Sequence, residues 1–323
     1  MNRQKRHKRK SRVLKLASVM LAVCVAAIGY FVNQYQAGVS TAESVEHAEF
    51  KFNGEKSIDN KVNVLLLGVD ARSDEEKSRT DSIMVAQYDP KEGGAKVISI
   101  MRDIYTEIPG YKNYKINTAF YLGGPELLRE TFKNNFDLDI EYYALIDFTG
   151  FEKMVDALAP DGIEIGVEKK MSANIGVSLR PGLQRLNGKE LLGYARFRKD
   201  AEADFGRVRR QQQVINALKD ELLSVNGLAK MPKLIGTAQP YIQTNLQAAE
   251  LLTVMKSVAI HRPEKIETLT VPIQNSYTDV RYEGVGLALD IDFEKNKEAI
   301  HSFLDGDSAN YERRPLSVSE ENG

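Results

Sequence analysis

The chain has 323 residues, 42% hydrophobic and 28% charged, which excludes a disordered chain, a collagen and a polytopic membrane protein and leaves one large domain or two ordinary ones. A single cysteine, Cys24, excludes a disulfide framework and a cysteine-based zinc site, and the scattered His7, His47, His261 and His301 form no spaced ligand pair, so any metal would be a hard cation on Asp and Glu oxygens. The net charge of -1 hides an asymmetry: seven of the 44 Lys and Arg lie in residues 1–12, which hold no acid, leaving 37 cations against 45 acids.

After this basic tail, residues 13–32 form an apolar run of twenty whose only charge is Lys15. A helix of that length spans about 30 Å, the thickness of the hydrocarbon layer. Positive charge before the run predicts a signal anchor with the N-terminus in the cytoplasm and the rest of the chain outside the cell. A cleaved signal peptide would have a shorter apolar core, and topology explains the basic 12-mer better than nucleic-acid contact does. No nucleic-acid partner is expected.

Residues 33–61 read as a polar spacer leading into a domain at 62–304. Val62 to Val69 is a nearly continuous apolar run, predicting a strand buried on both faces. Ile83–Tyr88 and Lys96–Ile100 flank the turn signal Asp89-Pro90-Lys91-Glu92-Gly93-Gly94 and predict an antiparallel hairpin. Lys115 and Asn117 fall on a loop before a helix over Pro125–Phe136, with proline at the first helical position. Ile140–Ile146 is strand-like, and Thr149–Leu158 is a helix closed by Ala159-Pro160-Asp161-Gly162. Asn187 with Glu190 three residues later is close to a capping box. Helices follow over Arg207–Leu223 and Ala248–Val258, and the polar tail 305–323 reads as disordered. Mixed strands alternating with helices predict an α/β fold, a three-layer α-β-α sandwich around a mixed sheet with one core.

The charged residues converge. The first strand ends at Asp70, the second starts just after Arg79-Thr80-Asp81-Ser82, and the third ends at Arg102-Asp103. Antiparallel pairing of the second and third strands, with the first running like the third, brings these residues to one rim, the usual ligand position in an open α/β sheet. In Tyr194-Ala195-Arg196-Phe197-Arg198, alternation along an extended segment would put both arginines on one face. Arg207 and Gln211 share a helix face. Arg79, Arg102, Arg196, Arg198 and Arg207 would then surround Asp70, Asp81, Asp103 and Asp204. Like charges 4 Å apart repel by about 4 kcal/mol at an effective dielectric near 20, so such a cluster wants an anion; a diphosphate supplies it, and arginine grips phosphate in bidentate fashion. Two Asp carboxylates with phosphate oxygens and waters would complete the octahedron of Mg²⁺.

At these residues the sequence resembles the LytR-CpsA-Psr family of cell-wall enzymes. The match runs from about Asn63 to Leu223. It includes Leu66-Leu67-Gly68-Val69-Asp70, Arg79-Thr80-Asp81-Ser82, Ser99-Ile100-Met101-Arg102-Asp103, Lys115-Ile116-Asn117, Gly123-Gly124-Pro125, Leu186-Asn187-Gly188, Tyr194-Ala195-Arg196-Phe197-Arg198, Asp204-Phe205-Gly206-Arg207 and Arg210-Gln211-Gln212. Met101 stands where family members often have proline.

The resemblance implies a transferase that moves an anionic glycopolymer, such as teichoic acid or capsular polysaccharide, from a polyprenyl diphosphate carrier to peptidoglycan with formation of a phosphodiester. It also implies bound Mg²⁺ and an apolar groove for the membrane lipid. Carried over, Asp70 and Asp81 would hold the metal, and Arg79, Arg102, Arg196, Arg198, Arg207 and Gln211 would grip the diphosphate. Asp103 and Asp204 are candidates for the base that takes the acceptor's proton. Two other readings remain open: a lipid diphosphate phosphatase with water as acceptor, and a membrane-bound transcription attenuator. The latter is disfavoured by a cytoplasmic tail of only residues 1–12, too short for a folded DNA-binding module.

Overall fold

A computed structural model describes residues 29–30, 32–40, 50–56, 61–70 and 80–306. The basic tail, most of the expected anchor, Arg79 and the polar tail beyond Gly306 lie outside the described residues. Among the described residues no helix is long and apolar enough to cross a membrane.

After a helix at residues 32–40, the domain opens with β1 (Val62–Val69), β2 (Thr80–Tyr88) and β3 (Ala95–Ile100), each antiparallel to the one before. The predicted hairpin and the shared direction of the first and third strands are both present. A two-stranded ribbon follows, β4 (Tyr105–Thr106) and β5 (Tyr114–Lys115). Helix α1 (Asn117–Phe136) starts eight residues earlier than predicted, and so Asn117 to Ala119 are helical rather than loop. The expected start at Pro125 survives as an internal break. Gly123 and Gly124 leave helical geometry there, Gly124 with a φ of 66° that side-chain-bearing residues resist.

Next come β6 (Tyr142–Asp147), α2 (Phe148–Leu158), and the hairpin β7 (Ile163–Val167) and β8 (Gly182–Leu186). Helix α3 (Gly188–Arg196) opens on the capping box of Asn187 and Glu190, its side-chain and backbone bonds both formed. Then α4 (Ala203–Leu223), α5 (Val225–Ala238), a 3-10 turn at Gln239–Tyr241 and β9 (Ile242–Thr244) run in close succession. The described residues end with α6 (Ala248–His261), β10 (Ile266–Val271), the hairpin β11 (Tyr277–Tyr282) and β12 (Gly286–Ile291), and α7 (Phe293–Asp305).

The central sheet is mixed, in the order β10-β3-β2-β1-β6-β9, with β1–β6 and β3–β10 parallel. One face carries Leu65, Leu67, Val69, Ile83, Val85, Ile98 and Ile100, which pack with Leu128, Phe132 and Phe136 of α1 and Ile300 and Phe303 of α7 into the main core.

The opposite face corrects two expectations. Strand β1 is not buried on both sides: Asn63, Leu65, Leu67 and Val69 are buried, while Val64, Leu66 and Gly68 are only half-buried. Nor is there one core. Val155 and Leu158 of α2, Ile163 and Ile165 of β7, Leu191 and Tyr194 of α3, Val214 of α4 and Leu234 of α5 form a second cluster of their own. The helices on this side bury their apolar stripes against one another and against the β7–β8 hairpin. They stand off the sheet, and the space between is a cavity.

Candidate active site

The cavity has a volume of about 690 Å³. Its sheet wall follows from register: Ser82, Gly68, Ile146 and Ile242 are paired across four neighbouring strands, and Met84, Leu66 and Ala144 form the next row. Its helical wall is Phe148, Phe151 and Met154 of α2, Leu192 and Ala195 of α3, and Val214, Ile215 and Leu218 of α4. Gly68 and Ala144 keep the floor low. The end beside β2 and β3 is charged instead, lined by Asp81, Arg102, Arg198, Arg207 and Gln211, with Arg196 between the two zones.

The loops and helix starts that carry these charges are fixed by sequence. Arg102 and Asp103 follow β3 after Met101, and the Asp103 carbonyl accepts the Leu289 amide of β12 at 2.9 Å. A register shift at Gly68/Val69 lets Asp81 fall at the start of β2 beside the end of β1. Arg102 Nη1 donates to Asp81 Oδ1, and Arg102 Nε lies 3.7 Å from Asp103 and 3.5 Å from Asp204. Asp204 also accepts from Arg207 at 3.1 Å and sits 3.9 Å from Arg198. Lys115 holds Asp103 at 2.8 Å. Arg196 lies 3.5 Å from Asp70, with its guanidinium 4.2 Å from the centre of the Phe148 ring. Ser82 Oγ donates to Gln211 Oε1 at 3.5 Å.

All the described candidates therefore meet at one rim: Asp70, Asp81, Arg102, Asp103, Arg196, Arg198, Asp204, Arg207 and Gln211. One local expectation is corrected. Arg196 and Arg198 do not share an extended segment, because α3 runs through Arg196 and the chain extends only from Phe197. They reach the same cavity because the helix ends between them.

Asp204 is shared among Arg102, Arg198 and Arg207. Arg207 is 6% exposed, and burial together with the neighbouring Arg102 guanidinium holds its pKa below the ordinary arginine value. Buried Arg102 Nε and Arg207 Nε have no hydrogen-bond partner among the described residues. Donors left buried without an acceptor are costly, and a diphosphate is the acceptor that fits their charge.

Two residues of the motif Arg210-Gln211-Gln212, given no role from sequence, support the site. Arg210 is fully buried and binds Asp200 at 3.0 Å and the Phe197 carbonyl at 2.6 Å, locking the loop that presents Arg198. Gln212 donates to Ser99 at 3.1 Å and Thr270 at 3.0 Å, tying α4 to β3 and β10. The run Arg207-Val208-Arg209-Arg210-Gln211-Gln212 holds the signal. Helical spacing places Arg207, Arg210 and Gln211 on adjoining faces, but spacing alone does not separate the ligand-facing arginine from the buried one.

Among the described residues no three His, Cys, Asp or Glu side chains gather as a metal site. Asp70 and Asp81, at adjoining strand ends, supply two hard oxygen donors. That set suits a Mg²⁺ that takes its other ligands from a diphosphate and water, not a preformed cage.

A model of the LytR_cpsA_psr family matches residues 28–298. The chain belongs to this family. Among family relatives, the regulatory protein MsrR of Staphylococcus aureus is 51% identical over 282 residues, 86% of this chain and 85% of that protein. The polyisoprenyl-teichoic acid–peptidoglycan teichoic acid transferase TagV of Bacillus subtilis is 32% identical over 223 residues, 66% of this chain and 57% of that protein. The crystal structure of B. subtilis TagV superposes with a TM-score of 0.64 at 30% identity, covering 76% of this chain and 97% of that one. TagT bound to LI-WTA superposes with a TM-score of 0.64 at 25% identity, covering 81% and 99%. The fold is thus shared with these two structures over 76% and 81% of this chain.

Proposed function

We propose that the protein transfers an anionic glycopolymer, of the teichoic acid class, from a polyprenyl diphosphate carrier to peptidoglycan. The observation that carries this reading is one cavity with two chemistries: an arginine-rich rim at one end and an apolar trough at the other. That is the shape of a lipid joined to a diphosphate. The activity for which TagV is named and the ligand in the TagT structure support the same substrate class.

The chemistry follows from the rim. An acceptor hydroxyl of the wall glycan attacks the polymer-bearing phosphorus. The new P–O bond joins polymer to glycan, the bond to the bridging oxygen breaks, and polyprenyl phosphate leaves. Arg102, Arg198 and Arg207 neutralise the charge that grows on the bridging and equatorial oxygens, in a partly dry site where fixed donors count for more than in water. Arg196, stacked on Phe148, sits where headgroup gives way to lipid. Gln211 adds a neutral donor, and Arg79, outside the described residues, belongs to the same set by its place before β2. Asp204 meets three guanidinium groups and orients them. Asp103, held by Lys115 and facing the rim, takes the hydroxyl proton. Asp70 and Asp81 would hold Mg²⁺, which when bound stabilises phosphoryl charge as a Lewis acid. Residues 13–32 anchor the chain with this domain outside the cell membrane.

Arg102→Ala and Asp81→Ala should each lower transfer of lipid-linked teichoic acid to peptidoglycan by about 10²–10³-fold in kcat, with unfolding curves unchanged in cooperativity. Full activity in either purified variant would reject the assigned site. Release of free phosphorylated polymer without a peptidoglycan adduct would point to the phosphatase reading. The name of the S. aureus relative favours a second reading, regulation; specific operator binding by the intact protein would support it.

A further inference from the structure

The end of the expected anchor and the start of the spacer carry helix among the described residues. Residues 29, 30 and 32–40 are helical, and the last of these lie against α5. The crossing has room only for glycine on both sides. A Cβ on Gly38 would overlap the Lys233 carbonyl and lie 2.9 Å from the Thr237 amide; one on Gly236 would overlap the Tyr35 carbonyl and lie 2.9 Å from the Val39 amide. Tyr35 Oη donates to Gln239 Oε1 at the end of the same contact. Backbones this close fix an angle between two helices that a longer side chain would open.

What lies beyond α5 gives the crossing a purpose. The 3-10 turn leads from α5 straight into β9, where Ile242 lines the apolar end of the cavity. Tyr241 of that turn is packed against Gly150 of α2, the helix that supplies Phe148, Phe151 and Met154. The segment 32–40 has no charged residue, and α5 has Lys230 and Lys233 but no acid. Tyr30, Val32 and Val39 are 53%, 46% and 42% exposed. Apolar exposure with cations and no anions is the composition of a surface that meets anionic lipid.

We propose that the helix at 32–40 and α5 form the bilayer-facing side of the domain, seating the apolar end of the cavity on the membrane so that a prenyl chain passes from the leaflet into the trough at β9. Gly38 and Gly236 are positioning residues for this arrangement. The proposal rests on the anchored, lipid-substrate reading given above, and its test has an arm that needs no turnover.

The chain contains no tryptophan, so a single introduced one reports its own surroundings. Full-length protein is reconstituted in phosphatidylglycerol–phosphatidylethanolamine vesicles with acyl-chain-brominated lipid, carrying Lys233→Trp on α5 or Leu287→Trp at an exposed position of β12. Quenching at 233 but not at 287, and its loss when Gly38→Leu is added, is the expected result. Equal quenching at both sites, or none at 233, overturns the proposal.

In the kinetic arm, Gly38→Leu, outside the catalytic domain, should raise KM for vesicle-borne polyprenyl diphosphate-linked teichoic acid about tenfold or more. Its kcat on a short-chain, water-soluble prenyl diphosphate donor should match the parent. Gly29→Leu is the control, since a Cβ there meets nothing within 4 Å. Equal kinetics of Gly38→Leu and the parent on both donors, or equal loss on both, overturns the proposal. Quenching as expected without peptidoglycan transfer by the parent would instead reject the transferase reading alone.

Discussion

The two faces of the central sheet are built from alternate residues of the same strands, yet they do different work. Toward α1 and α7, Leu65, Leu67, Val85 and Ile98 are closed over completely and close-packed. Toward α2, α3 and α4, Leu66, Met84, Ala144 and Ile146 face a cavity. The difference lies in where the covering helices find their apolar partners. Helices α1 and α7 pack against each other and the sheet in a single core, so they sit on it. Helices α2 to α5 share a second core with the β7–β8 hairpin and need the sheet less. A self-sufficient helical layer can leave an apolar face open for a ligand without collapsing onto it.

Substitutions that fall on one side of this division should move one observable and not the other. The largest effect is expected where the helical layer is tied together around a buried charge. Asp200→Ala takes the nearer carboxylate from the fully buried Arg210 guanidinium, leaving Glu168 at 3.7 Å, and should cost about 3 kcal/mol by chemical denaturation. Burial alone would raise the Asp200 pKa, but Arg210 and Lys169 outweigh it and hold the carboxyl below its ordinary value. Because the folded-state pKa is depressed, this stabilisation is complete above about pH 4 and is lost as the pH falls through the lowered value. Asp200→Asn should flatten that acid limb; an unchanged limb would show that other carboxylates set it.

Next in size is the close-packed face. Leu65→Ala removes a fully buried side chain and should destabilise by about 2–5 kcal/mol while leaving kcat/KM of the surviving folded protein unchanged. Its neighbour should behave oppositely. Leu66→Ala should cost little stability but weaken binding of a prenyl diphosphate by about 1–2 kcal/mol, roughly tenfold in KM. If both leucines affected stability alike and substrate binding not at all, the division between the faces would fall. The smallest change in stability is expected of Ala144→Phe. It fills the trough without displacing the main core, and should raise KM for long prenyl chains more than for short ones.

The contrast also marks how far sequence alone reaches. The charged rim was legible because its residues flank strand ends, and strand order plus direction suffices to gather Asp70, Asp81, Arg102 and Asp103. The resemblance implied an apolar groove, but not which residues line it, because residues lining a lipid cavity have the same composition as residues lining a core. Leu65 and Leu66 read identically along the chain, and β1 therefore reads as buried on both faces. Arg210 illustrates the same limit among charges, since only three-dimensional burial separates it from Arg207. The pairing of Arg196 with Arg198 was expected for the wrong local reason, an extended segment where α3 still runs.

The central claim is that one cavity holds both the diphosphate and the lipid it is joined to. A crystal structure of the protein with a polyprenyl diphosphate tests it most directly. Phosphate oxygens within hydrogen-bond reach of Arg102, Arg198 and Arg207, with the prenyl chain running past Leu66, Ala144 and Ile146 toward Ile242, is the result expected. A chain lying outside the cavity, or a diphosphate held away from those arginines, would contradict it.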